Sequence, residues 1–205
     1  MIKHLAGTLY VTRAGGFNGG YTEDGVLKPL AMIAREENVN AVIVESNFGD
    51  GLWSQLFKPI LHAVHPCSME EVRHHTNKEM RICDTLEPLM ARHKLVVTPS
   101  VIEEDYRTSY GVKDANGKTK SAYSLFYQMT RMMREKGALY HDDRLDALAI
   151  GVAFFTERLA RDANKEIADM KQGKLDAWMK KRYDNRASKK TSEVGVSGLY
   201  AGRNS

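Results

Sequence analysis

Ala41-Val42-Ile43-Val44-Glu45 is a run of four apolar residues closed by a carboxylate. A run this short and this uniformly apolar, rich in β-branched residues, reads as a central strand buried on both faces. It ends at Glu45-Ser46-Asn47, and the turn Phe48-Gly49-Asp50-Gly51 follows. Upstream, Leu27 to Asn38 places Leu27, Leu30, Ile33 and Ala34 at helical spacing, and Thr8 to Arg13 alternates as a strand before the glycine-rich turn at 15–20. Downstream, Trp53 to Val64 reads as helix. Ser68 to Val72 opens with Ser68 and carries Glu71 three residues on, the pattern of a capping box. Lys78 to His93 is helical through Met80, Cys83, Leu86, Leu89 and Met90 despite Pro88, and Leu95-Val96-Val97 is another short strand. Val101 to Tyr110 follows as helix, 111–120 as a polar loop, Ser124 to Lys136 as helix, and Asp142 to Leu159 as a strongly apolar helix. Strands alternating with helices imply an α/β layer architecture.

From about Arg161 the composition changes. One more amphipathic helix is expected through Ile167, Met170, Leu175 and Trp178, then a flexible tail after Tyr183 that is rich in Lys, Ser, Gly and Asn. The predicted division is therefore 1–160 for the α/β domain and 161–205 for a helical extension and basic tail. The chain of 205 residues, 42% hydrophobic and 27% charged, has the composition of a globular domain. It has no apolar run long enough to cross a membrane and no pattern of a signal peptide. Two cysteines, Cys67 and Cys83, make no disulfide framework and suit a reducing compartment. A net charge of +4 leans only slightly toward a polyanionic partner.

The stretch His141 to Leu148, reading HDDRLDAL, opens the apolar helix. Residues three or four apart share a helix face, so Asp146 can project beside Asp143 or Asp142. Aspartates at a helix start also cap amides and suit the dipole, and Asp142 fits that capping or supporting role. Asp146 lies a turn further in, where capping explains it poorly. Acids on a buried helix need compensation, and Mg²⁺ or Mn²⁺ supplies it through carboxylate oxygens. Glu45, at the C-terminal end of its strand, sits where open α/β sheets place their sites. A strand-end Glu with a helix-start Asp pair is the kind of set from which a two-metal phosphodiesterase site is built.

Four stretches in order carry a closer likeness: Glu45 to Gly51, Glu79 to Pro88, Tyr123 to Thr130, and Arg134 to Ala138 leading into His141 to Asp146. Together they resemble the terminase large subunit of short-tailed podoviruses, also called DNA maturase B, from about Thr8 to about Phe155. The resemblance implies a ribonuclease H-like nuclease domain, a mixed sheet flanked by helices, that cuts concatemeric viral DNA during packaging. It implies catalytic and metal-binding roles for Glu45 and for acids among Asp142, Asp143 and Asp146, with two Mg²⁺ or Mn²⁺ ions. A further likeness to the D-x-x-D-A-L helix of junction resolvases of this fold favours Asp143 with Asp146. The partners implied are double-stranded viral DNA, the terminase ATPase part, the small subunit and the portal of the procapsid, in the host cytoplasm.

Two family parts are missing from the sequence as read. No Walker A loop is present. The chain starts at what resembles the family's third strand, so the domain is expected to lack its first strands and their Asp; Asp24 follows the strand and does not replace it. Cutting is then expected only when another polypeptide completes the domain. The alternative is a non-catalytic DNA- or portal-binding piece of the motor. Lys78, Arg81, Arg131 and Arg134 are candidate phosphate contacts, although each alone suits a solvated helix face. His62, His65 and Cys67, with His74 and His75 nearby, fit no standard zinc spacing and read as structural or surface residues. Trp53 and Phe57, four apart, read as core.

Overall fold

The computed structural model describes residues 1–17, 20–46, 51–113, 117 and 119–197, with side chains for all of these but 23 and 183–197. The turn expected at Phe48-Gly49-Asp50, part of the polar loop at 111–120 and the end of the basic tail lie outside the described residues. The chain divides into two compact units, 1–155 and 156–205.

The first unit has the expected α/β architecture, with a three-stranded mixed sheet and a separate two-stranded parallel pair among helices. Strand β1 (Ile2–Leu5) pairs antiparallel with β2 (Thr8–Val11), and β2 pairs parallel with β5 (Leu95–Val97). Strand β3 (Ala41–Glu45) pairs parallel with β4 (Ser68–Val72), with Glu45 opposite Val72. The helices are α1 (Lys28–Glu36), α2 (Leu52–Val64), α3 (Lys78–Ala91), α4 (Pro99–Ser109), α5 (Leu125–Arg131) and α6 (Asp143–Ser197).

Ser68 to Val72 is a strand, not the start of a helix. Its hydrogen-bonding to β3 outweighs the local capping pattern, because five residues gain a ladder partner there. β3 also departs from expectation. It has one strand neighbour among the described residues, and all its side chains are half-buried, because helices α1 and α2 cover it without closing both faces. Helix α5 stops at Arg131, short of Lys136. Met132 turns extended, and Arg134 leaves the helix to pair with Asp84 and Glu87 of α3.

Two apolar clusters form the interior. The first gathers Leu9 and Val11 of β2 with Ile82 and Leu86 of α3, Val101, Leu125, and Leu145, Leu148, Ala149 and Val152 of α6. The alternating burial of β2 explains this: Leu9 and Val11 face the helices while Thr8 and Tyr10 face away. Gly151 lets α6 approach the sheet closely, since a methyl there would come within 2.6 Å of Ile2 Cδ1. The second cluster packs Leu27, Ala31 and Ala34 against Phe57 and Leu61 of α2, with Trp53, Val42 and Met69 at its margin. Trp53 and Phe57 thus serve the core, their rings 4.7 Å apart.

In the second unit the backbone is helical through Ser197. Ile167, Met170, Leu175 and Trp178 are exposed, and the Arg182 guanidinium lies 5.0 Å over the Trp178 ring. Among the described residues, no helix is long and apolar enough to cross a membrane.

Candidate functional site

The start of α6 is fixed by buried polar contacts. Asp105 of α4 is 1% exposed and accepts hydrogen bonds from Ser124 Oγ at 2.6 Å, Leu125 N at 2.8 Å and Arg144 Nη1 at 2.5 Å. Gln128 of α5, also buried, accepts the Leu145 amide at 3.0 Å. A glutamine from a neighbouring helix thereby satisfies one of the free donors that every helix N-terminus presents. These contacts hold the first turn of α6 in one orientation against α4 and α5.

That turn carries the acids. Asp146 is 4% exposed and receives Arg81 Nη2 at 2.6 Å on one oxygen and Lys78 Nζ at 3.0 Å on the other. Lys78 Nζ also reaches Asp142 at 2.8 Å. Arg81 Nη2 lies 3.9 Å from Glu45 Oε1, and His74 Nδ1 lies 3.3 Å from the same oxygen. The parallel register of β3 and β4 explains His74: with Glu45 opposite Val72, the chain leaving β4 passes beside the Glu45 carboxylate. Lys78 and Arg81 are three residues apart in the first turn of α3, so they present both cations on one face. Asn77 caps that turn by accepting from Met80 N.

Glu45, Asp142, Asp146, Lys78 and Arg81 are therefore brought into one cluster from β3, α3, α6 and the residue just before α6. Asp143 is exposed and lies outside these contacts. Arg134 is engaged with Asp84 and Glu87, and Arg131 lies over the Tyr127 ring at 4.8 Å. Asp105 was not singled out from sequence, and His74 was weighed only as a neighbour of the zinc candidates. The signal for Asp105 was its spacing: Val101, Asp105 and Ser109 form the buried column of α4. His65, weighed for zinc, contacts the Val39 carbonyl at 2.7 Å through Nε2.

The cluster holds three carboxylates against two cations, Lys78 and Arg81. For Lys78, burial acts to lower the pKa, but hydrogen bonds to Asp142 and Asp146 outweigh it and the net shift is upward. Arg81 keeps Nε and Nη1 buried with no acceptor among the described residues. Buried donors of this kind are rare in folded chains, because each costs the desolvation of its N–H. The donor chemistry of the cluster, carboxylate oxygen, suits Mg²⁺ or Mn²⁺. Among the described residues, no group of three or more His, Cys, Asp or Glu side chains is gathered closely enough to hold a metal ion. What is assembled is an acidic cluster neutralised by Lys78 and Arg81, with hydrogen-bonding capacity left over.

Comparison with known proteins gives a consistent relationship. Residues 1–95 match the family model described as Terminase Bacteriophage T7, Ribonuclease H-like domain. That span contains Glu45, Lys78 and Arg81, and ends before the acids of α6. The chain is 45% identical over 196 residues to the terminase large subunit of Enterobacteria phage T3, covering 96% of this chain and 33% of that relative. The chain thus spans about a third of the length of the curated relative it matches.

Proposed function

This chain is a homologue of a phage terminase large subunit with a ribonuclease H-like domain, and from that premise we propose that it forms the nuclease part of a DNA-packaging motor. Its reaction is metal-dependent cutting of concatemeric double-stranded viral DNA. The observation that carries this reading is the convergence of Glu45 and Asp146 on the Arg81 guanidinium from a strand end and a buried helix start.

Glu45 and Asp146 hold the divalent ion in this reading, and Asp142 supports them through Lys78. When bound, the ion supplies activation of water and neutralisation of the leaving oxygen. Lys78 and Arg81 keep the acids paired in its absence. In its presence their donors turn to the phosphate, and the two unsatisfied N–H groups of Arg81 suit a phosphate or a further carboxylate. Two converging acids are fewer than a two-ion site needs. The site is accordingly completed by another acid, brought by a strand that adds to β1 or β3, each of which has one strand neighbour among the described residues. The ATPase part of the terminase is the proposed source. The small subunit and the procapsid portal are the other proposed partners, and the host cytoplasm the place of action.

A second reading, a DNA- or portal-binding piece without catalysis, is favoured by the pairing of every clustered acid with a cation or His74. Nicking of supercoiled plasmid in Mn²⁺, by the chain alone and mixed with the ATPase part, separates the two. Metal-dependent nicking in the mixture supports the nuclease. No nicking in either case, with DNA retained in a binding assay, supports the second reading.

A further inference from the structure

One open pocket of about 390 Å³ lies between α5 and the segment that leads into α6. Tyr127 and Arg131 of α5 line one side, and Tyr140 and His141 line the other. The pocket is of the size that small-molecule sites occupy. Its aromatic groups are ordered among themselves. His141 stacks on Tyr123 with ring centroids 3.9 Å apart, and Tyr140 and His141 stand nearly perpendicular with centroids 4.6 Å apart. Arg131 lies over the Tyr127 ring at 4.8 Å. Tyr140 is nevertheless 93% exposed, an unusual placement for a large ring that makes only an edge contact. Met132 and Met133 complete the wall with adaptable thioether side chains.

Aromatic faces beside an exposed guanidinium are the arrangement that binds unpaired nucleobases, by stacking, together with their phosphate. Position adds direction. His141 lines the pocket and immediately precedes Asp142 in the chain, so their Cα atoms are about 3.8 Å apart and one wall of the pocket runs into the backbone that carries the acid cluster. A duplex cannot offer a base face to such a pocket without unstacking it.

We propose that this pocket takes one unpaired nucleotide of the DNA strand, its base on Tyr140 and His141 and its phosphate on Arg131. This rests on the reading of the acid cluster as a DNA-cutting site, which it deepens: the strand is locally unpaired next to the cut. The base, rather than the backbone charge, is what the pocket recognises.

The test is binding measured by fluorescence anisotropy in EDTA, where cutting plays no part. The probes are a short single-stranded oligothymidylate and an abasic strand of the same length and charge. The chain is expected to bind the base-bearing strand roughly tenfold more tightly. Tyr140→Ala, at a position exposed enough to leave folding intact, is expected to abolish that preference, and Tyr140→Trp to keep it. Equal affinity of the unmodified chain for both probes, or an undiminished preference in Tyr140→Ala, overturns the proposal. Failure of metal-dependent nicking with this preference intact would instead count against the nuclease reading alone.

Discussion

Two buried carboxylates of the first unit are treated in opposite ways. Asp105 has every need met: a hydroxyl, backbone amides and Arg144 converge on it, all within the fold. Asp146, nearly as buried, is met by Lys78 and Arg81, and Arg81 is left with two donors that find no acceptor among the described residues. The first arrangement is closed and locks α4, α5 and α6 together. The second is open, because its cations are themselves incompletely satisfied and Lys78 is partly exposed to solvent. A closed polar network stabilises one structure; an open one keeps the capacity to exchange partners. The proposed chemistry belongs to the open one.

The largest effect is expected from breaking the closed network. Asp105→Ala strands Arg144 and the α5 amides, and should cost about 3–5 kcal/mol, a large part of a typical domain's stability. Thermal or urea unfolding reads this directly. If Asp105→Ala melted like the unmodified chain, the contrast would be lost. Next in size, Glu45→Ala should lower metal-dependent nicking about 100-fold or more while the circular dichroism spectrum is unchanged. Asp146→Asn, which retains an oxygen for Arg81, should cost less stability than Asp105→Ala, about 1–3 kcal/mol.

Arg81→Gln sharpens the comparison further. Removing the guanidinium leaves the acids without their main cation, so Mn²⁺ should raise the melting temperature of this variant more than that of the unmodified chain. Equal shifts would mean that Arg81 and the ion do not compete. The smallest effect concerns pH. The Lys78 pKa is raised in the folded state, so its ion pairs stabilise the fold fully below the unfolded lysine value near 10.5 and are lost as pH rises through the higher folded value. Lys78→Met should therefore flatten the stability profile only in strongly alkaline solution.

Elements with periodic apolar residues were legible from sequence. β2, β5 and helices α1 to α4 fall close to where their patterns put them, because burial itself makes the pattern. β1 and β4 were not, since Ile2–Leu5 and Ser68–Val72 carry polar residues at half or more of their positions and are held by backbone pairing to a neighbour. The end of α5 depends on Arg134 finding Asp84 and Glu87, some fifty residues away in the chain. At the site, the acids were legible by type and position. Their pairing was not: Lys78 and Arg81 meet Asp142 and Asp146 across 64 and 65 residues, a distance that spacing cannot report. Of the three helix aspartates, Asp142 and Asp146 join the cluster and Asp143 faces solvent. The distinction follows from the orientation that Asp105 and Gln128 impose on α6, which no local pattern encodes.

The most direct measurement is the Mn²⁺-dependent nicking rate of Asp146→Asn relative to the unmodified chain, each mixed with the ATPase part and each checked for folding by circular dichroism. The expected result is a loss of about 100-fold or more in a folded variant. An unchanged rate in folded Asp146→Asn would contradict the assignment of chemistry to the open cluster.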